Sequence, residues 1–374
     1  MATLELSNED ALRLNVLVNN VEAIRIDERT LTVYGLSARG EAKVQLNPTG
    51  RGESYLKAVR EFLSASALGS PSGYPVHLNR WTRMGQARDT NLAKLLMLGE
   101  AEAITAVVCA PGLTEELARR AWWSEPTSEN ARRMLARECV ARSELGKTLA
   151  EHLVEHLPFE SEAQMIIDSV RLVLQPGLIA PAVRSRLWDK GASQSAYRIG
   201  FLATEPDQLP QPLAARADFA TLSPALTEFA ARGNAYAHLL LRSLNGPGQT
   251  FLATSEQVLH KLSSQDATVS LLNVLSNYFA DIRTDSQSYA DSQVLLDDVA
   301  RAIQESVAAQ ELLAKIPVQA ELQAMHALAR MDEALVTPVF ARSSATGALM
   351  RRKIAPMIEA VLAQLAVLRR PPHG

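Results

Sequence analysis

The sequence predicts a mainly α-helical fold with a small N-terminal α+β element, and three observations lead to this prediction. Apolar and polar residues alternate over residues 23–46, which indicates short strands. Beyond residue 75, apolar residues recur about every third or fourth position instead. Proline separates many of these later segments, as at Pro111, Pro126 and Pro158. The later part is therefore expected to form an irregular helical bundle or a solenoid-like array of helical hairpins.

Residues 1–75 are expected to form a small α+β domain. Ser7 and Asp10 resemble a capping box, in which the hydroxyl caps a helix and the carboxylate reaches back to the backbone. A three-stranded antiparallel meander follows, with turns at residues 27–30 and 35–40. A helix over residues 53–68 covers its apolar side, and the GSPSGYP segment that follows is typical of a linker.

Two helical domains are expected after this linker, over residues 76–205 and 206–374. The second boundary is placed at EPDQLPQPL, where three prolines interrupt the helical pattern. Capping hydroxyls predict the starts of three helices, at Ser161, Ser223 and Thr254.

Composition is that of an ordinary globular chain, with 47% hydrophobic and 21% charged residues. The net charge of −3 disfavours a general attraction to nucleic acid. The N-terminus lacks the features of a secretory signal, and no uncharged apolar run approaches the roughly 20 residues that cross a bilayer. We therefore expect a cytoplasmic protein that does not insert into membranes.

The HLVEH segment, residues 152–156, is the most specific enzyme-like motif. His152 and His156 would share a zinc ion and Glu155 would act as general base, as in the HxxEH peptidases. The leucines of this helix define its buried face, however, and Glu155 points almost opposite to it. A solvated helix edge is therefore the preferred interpretation, and we expect neither a metal nor another cofactor. A metal-dependent hydrolase is the alternative.

A relaxed phosphate-loop pattern, ARSELGKT, spans residues 141–148. Such a loop needs a buried strand before it and a helix after it. The preceding segment predicts a helix, so Gly146 is expected to break one helix or open the next.

Residues 80–123 contain three of the four tryptophans and many arginines. In TEELARRAWW the spacing predicts ion pairs from Glu115 to Arg119 and from Glu116 to Arg120. Trp123 lies on the charged side of the predicted helix, where it can stack on either arginine. An exposed tryptophan among arginines is typical of an interaction hot spot. The predicted partner-binding residues are Arg80, Trp81, Arg83, Arg88, Arg119, Arg120 and Trp123; the alternative is that Trp123 packs against a neighbouring hairpin.

The last predicted helix, over residues 347–370, carries two short basic groups. These are Arg351, Arg352 and Lys353, followed by Arg369 and Arg370. Positive charge at a helix C-terminus complements the helix dipole without any partner. An RNA-binding post-transcriptional regulator is nevertheless a second alternative function.

Four stretches resemble the DsrS family, which comprises soluble proteins encoded with the reverse dissimilatory sulfite reductase system of sulfur-oxidising bacteria. They are HLNRWTRMGQ (77–86), the run from Leu95 to Trp123, HLPFE (156–160) and DSVRLVLQPGLI (168–179). The resemblance is most distinct over residues 77–180 and assigns no catalytic or ligand residues. It implies a cytoplasmic accessory or regulatory role in sulfur oxidation, which we expect to operate through a protein partner rather than catalysis.

Sulfur carriage is an alternative within this setting, and it would need an exposed, activated thiolate. The chain has two cysteines, Cys109 and Cys139, on separate predicted helices and without the spacing of a metal site. We expect both to be reduced thiols in the core. Carriage is disfavoured because neither cysteine is terminal or in a mobile tail.

Overall fold

The structure, a computed structural model, describes residues 6–48, 50–69, 89–283 and 287–370. Helices dominate these residues, and a three-stranded antiparallel sheet lies near the N-terminus, which confirms the predicted fold class. The chain forms two compact units, Met1–His156 (unit 1) and Leu157–Gly374 (unit 2). The domain boundary predicted at 75/76 lies outside the described residues, and the one predicted at 205/206 lies within unit 2.

Unit 1 combines the sheet with a series of short helices. Its described elements are α1 (Asn8–Val18), β1 (Ala23–Asp27), β2 (Thr32–Ser37), β3 (Gly40–Gln45), α2 (Gly52–Leu68), α3 (Asp89–Leu95), α4 (Ala101–Cys109), α5 (Glu115–Ser124), α6 (Ser128–Leu135), α7 (Glu138–Ala141) and α8 (Glu144–His156). Strand β2 pairs with both of its neighbours. Helix α4 packs on α5 and α6, α6 packs on α8, and α5 contacts β1.

The apolar core beside the sheet is formed by one face of the meander together with α1 and α2. Leu14 and Leu17 of α1 and Leu63 of α2 pack there against Ile24 and other strand residues. Gly35 in β2 allows Val21 to pack closely on the sheet, because a Cβ atom at position 35 would lie 2.6 Å from Val21 Cγ1.

Asp10 connects three segments of unit 1 rather than completing a capping box. The Ser7 hydroxyl caps α1 as predicted, accepting a hydrogen bond from the Asp10 amide at 3.2 Å. The buried Asp10 carboxylate accepts instead from the Tyr55 hydroxyl at 2.6 Å and the Asn47 amide at 2.9 Å. A buried carboxylate needs such donors, so the phenol and amide hold it away from the helix terminus.

The described residues of unit 2 form helices joined by loops, and they include no strand. Its α-helices are α9 (Ala163–Val173), α10 (Pro181–Lys190), α11 (Ser195–Thr204), α12 (Phe219–Ala231), α13 (Ala235–Leu244), α14 (Gly246–Leu259), α15 (Gln265–Tyr278), α16 (Ser292–Glu305), α17 (Val307–Leu313), α18 (Gln319–Arg330), α19 (Thr337–Phe340) and α20 (Gly347–Arg369). Helix α11 packs on α9, α14 and α15, and α20 packs on α14 and α18.

Of the three helix starts predicted from capping hydroxyls, the one at Ser161 is one residue too early and the other two are wrong. Helix α9 begins beyond Ser161, whereas Ser223 and Thr254 lie inside α12 and α14. Helix α14 begins at Gly246 because the Asn245 side chain caps it, accepting from the Gly248 amide at 2.8 Å. Thr254 is buried within this helix, so its hydroxyl does not mark an end.

Arg216 is the most extensively bonded buried charge that we describe in unit 2. Only 1% of its side chain is exposed. Its guanidinium forms ion pairs with Asp218 at 2.7 Å and Glu321 at 2.9 Å. It also donates to the carbonyl oxygens of Val367 and Arg370, at 3.2 and 3.4 Å. One side chain thereby joins the segment before α12 to α18 and to the end of α20.

Replacing Arg216 by methionine should lower the free energy of unfolding by about 3–5 kcal/mol, because Glu321 would remain buried without its cation. Urea unfolding followed by circular dichroism measures this loss. The matched control is Arg232→Met, since Arg232 is 63% exposed and pairs only one turn away with Glu228; its effect should stay within about 0.5 kcal/mol. Equal losses in the two variants would contradict the role assigned to Arg216.

Candidate functional site

Trp123 lies on α5 and is half-buried against the sheet of unit 1. Its indole N–H donates to Glu41 Oε2 at 3.2 Å. The guanidinium carbon of Arg25 lies 5.1 Å from the centroid of the indole ring and 4.8 Å from that of the Tyr34 ring. The predicted stacking of Trp123 on Arg119 or Arg120 is therefore replaced by stacking on an arginine of β1. Trp123 therefore packs on a neighbouring element, as the alternative prediction expected, but this element is the β-sheet and not a helical hairpin.

Arg119 and Arg120 both bond to Glu116. The predicted pair between Glu116 and Arg120 is present at 2.9 Å, whereas Arg119 pairs with Glu116 at 2.6 Å rather than with Glu115. Hydrogen bonding to Arg119, with a further bond to Arg120, lowers the pKa of Glu116. The same bond to Glu116 raises the pKa of Arg119. Arg120 also reaches Glu22 at 3.1 Å, which links α5 to the residues before β1.

We call Arg25, Glu41, Glu116, Arg119, Arg120 and Trp123 the Trp123 cluster. The structure brings three of the predicted partner-binding residues into it, namely Arg119, Arg120 and Trp123. The other four, Arg80, Trp81, Arg83 and Arg88, lie outside the described residues. Arg25 and Glu41 are not among the predicted residues, because they belong to the sheet and no local spacing connects them with α5.

The HLVEH residues do not converge on one point. The His152 and His156 rings stack face to face, with centroids 3.9 Å apart and planes 25° apart. His156 Nδ1 lies 2.8 Å from the His152 carbonyl oxygen, and His152 Nε2 lies 3.3 Å from the Ser128 hydroxyl. Glu155 is exposed, as expected for a solvated edge. Among the described residues, no group of three or more histidine, cysteine or carboxylate side chains is arranged to hold a metal ion.

The phosphate-loop pattern lies between two helices. Helix α7 ends at Ala141, and Gly146 belongs to the first turn of α8. A Cβ atom on Gly146 would lie 2.7 Å from the carbonyl oxygens of Val140 and Ala141. The glycine therefore allows two helices to meet closely. The element directly before it is a helix, whereas a phosphate-binding loop needs a strand at that point.

Most of the C-terminal basic residues have partners in unit 2. Arg351 donates to the Leu262 carbonyl at 3.0 Å, and Lys353 bonds to the Ser343 hydroxyl at 2.7 Å. Arg369 pairs with Glu256, and burial, with the nearby Arg370 charge, lowers its pKa. Contacts within the chain therefore engage three of the five basic residues of this element.

Both cysteines are exposed, which corrects the prediction of core thiols. Cys109 lies at the end of α4, and its sulfur accepts a hydrogen bond from Arg133. Cys139 lies on α7, and its Sγ is 3.5 Å from the Leu113 carbonyl oxygen. Burial therefore no longer argues against sulfur carriage, although neither thiol lies in a terminal tail.

Unit 2 also contains a polar cleft that the sequence analysis missed, between α9, α11, α13 and α15. Its volume is about 420 Å³. The available signal was the row of Ser270, Asn273 and Asn277 on one face of α15.

None of the helices in the described ranges is both long and apolar enough to cross a membrane. In comparisons with known proteins, no family model, no curated protein and no solved structure matches the chain. The resemblance to the DsrS family thus remains a prediction that rests on the sequence stretches alone.

Thiol labelling tests the exposure of the cysteines. Ellman's reagent should modify both thiols of the folded protein, because neither side chain is covered. Absorbance gives the number of reacting thiols, and Cys109→Ser and Cys139→Ser should each remove one of the two. Reaction only after addition of urea would contradict their exposure.

His152 should make folding stability depend on pH. Burial, followed by the His156 charge, lowers the pKa of His152 below its ordinary value of 6.5. The unfolded chain therefore binds a proton at a higher pH than the folded chain does, and this contribution weakens stability as pH falls below about 6.5. Urea unfolding between about pH 7 and pH 5 should show a smaller loss for His152→Gln than for the unaltered protein. If the two proteins lost the same free energy of unfolding over this pH range, His152 would not be the source of the pH dependence.

Proposed function

We propose that this protein is an accessory or regulatory protein of bacterial sulfur oxidation that acts by binding a protein partner through the Trp123 cluster. The setting is supported by the resemblance of residues 77–180 to the DsrS family. The mode of action is supported by the geometry of Trp123, which is the observation that carries the proposal.

The Trp123 indole is already oriented in the free protein. The indole is held against the sheet by a cation–π contact with Arg25 and by a hydrogen bond to Glu41. Part of its surface stays open to solvent. A side chain fixed in this way loses little conformational entropy when a partner binds. Tryptophan and arginine also dominate the energetic centres of protein interfaces.

The charges around Trp123 favour a partner with a mixed-charge surface. Arg25 and Arg119 expose 37% and 53% of their side chains, and Glu41 and Glu116 expose 43% and 50%. Because these groups pair with one another, the cluster has no strong field of either sign. Electrostatics would then orient the partner, and contact with the indole would supply most of the affinity.

Replacement of Trp123 by alanine should reduce capture of the partner by about tenfold, because the open face of the indole is lost. The tagged protein is expressed in sulfur-oxidising cells, and co-purifying proteins are quantified by mass spectrometry. A protein that is retained by the unaltered chain and lost from Trp123→Ala is then purified, and its affinity for both chains is measured by calorimetry.

The matched control is Phe159→Ala, which removes an aromatic side chain that is 85% exposed and lies outside the cluster. It should retain the partner fully. Thermal melting must first show that Trp123→Ala is folded. If both variants retain every captured protein as the unaltered chain does, the Trp123 cluster is not the contact surface.

A further inference from the structure

The polar cleft of unit 2 has the lining of a small-molecule site. Its volume of about 420 Å³ falls within the range of ligand pockets, roughly 300–1,000 Å³. Ile167 of α9 and Leu202 of α11 contribute buried apolar side chains to its wall. The remaining wall is largely polar, and it belongs to unit 2 alone.

Helix α15 presents two carboxamides to the cleft. Asn273 and Asn277 are one turn apart and both line it. Within the described parts of the chain, neither carboxamide has a hydrogen-bond partner. The neighbouring Gln164 is different, because it accepts from the Ser270 hydroxyl at 2.9 Å and donates to Asp168 at 3.0 Å. The two asparagines therefore offer donors and acceptors that a ligand can use without breaking existing bonds.

Two arginines supply the charge of the cleft. Arg171 and Arg242 line it, and no aspartate or glutamate lines it within the described chain. Arg171 is 53% exposed and lies 3.6 Å from Asp168, so its guanidinium is only weakly engaged. A planar guanidinium presents paired N–H groups that match a carboxylate or phosphate.

Arg242 is oriented by Asp207 and by Tyr278, which also lines the cleft. Its Nε and Nη2 donate to Asp207, Nη1 donates to the Tyr278 carbonyl oxygen at 3.3 Å, and the guanidinium carbon lies 4.0 Å from the Tyr278 ring centroid. Burial would lower the pKa of Arg242, but the hydrogen bond to Asp207 and further nearby charges outweigh it and raise the pKa. Arg242 therefore remains charged, and of its five N–H groups these bonds leave about two for a ligand.

We propose that this cleft binds a small organic anion, whose carboxylate or phosphate group contacts Arg171 and Arg242 and whose neutral polar groups pair with Asn273 and Asn277. Arg171, whose contact with Asp168 is 3.6 Å long, can exchange this weak contact for the anionic group, and the free carboxamides select for further hydrogen-bonding groups. The site is independent of the Trp123 cluster, so either proposal can fail without the other.

Isothermal titration calorimetry on the full chain tests this inference, with citrate and adenosine monophosphate as anionic probes and adenosine as the neutral probe. At low salt, at least one anionic probe should bind with a dissociation constant below about 1 mM, and adenosine should bind at least about tenfold more weakly. Arg171→Gln and Asn273→Ala should each weaken the anionic probe by about tenfold, because each removes hydrogen bonds to it.

Arg232→Gln is the matched control, because Arg232 is exposed and pairs on its own helix segment with Glu228, much as Arg171 faces Asp168. It should change the affinity by less than about twofold. Thermal melting verifies that each variant is folded. The proposal is overturned if neither anionic probe binds, if adenosine binds as well as they do, or if Arg232→Gln weakens binding as much as the two cleft variants.

Discussion

A guanidinium that is almost completely buried must find partners within the protein, because an unpaired charge in the interior is far less stable than one in water. In unit 2 this constraint falls on Arg216, with 1% of its side chain exposed. Its two carboxylates lie 2 and 105 residues away along the sequence, and its carbonyl acceptors lie at the end of α20. Apolar packing tolerates small shifts of a helix, whereas these bonds accept few geometries. The positions of α18 and α20 beside the segment before α12 therefore depend on this side chain.

Unit 1 meets a similar constraint with Asp10, whose buried carboxylate accepts from Tyr55 on α2 and from the Asn47 backbone after β3. These bonds fix the sheet beside α1 and α2. The sheet in turn determines what surrounds Trp123, because Arg25 lies on β1 and Glu41 on β3. The buried polar contacts of the N-terminal element thus act on the surface cluster through the strands that carry Arg25 and Glu41.

Local periodicity was sufficient to predict the mainly helical fold and the three strands. The helical repeat of three to four residues and the strand repeat of two can both be seen in consecutive residues. It could not predict the partners of Trp123, since spacing along α5 offered only Arg119 and Arg120, whereas the ring stacks on a residue of the sheet. Capping hydroxyls failed at Thr254 because a buried helix can contain the same residue. Both cysteines were expected in the core of their predicted helices, but Cys109 lies at an exposed helix end.

The Trp123 cluster and the cleft of unit 2 differ in how far their polar groups are already satisfied, and this difference selects the kind of partner. Arg119 and Arg120 share Glu116, so a small ligand that bonded to their engaged N–H groups would lose these ion pairs. A protein surface avoids that loss, because it gains affinity by covering the indole while the pairs remain. A small ligand has few atoms and needs a direct bond from many of them. Free carboxamides at the half-buried Asn273 and the exposed Asn277 provide such bonds in an open cleft, which is why we propose the macromolecular contact for unit 1 and the small anion for unit 2.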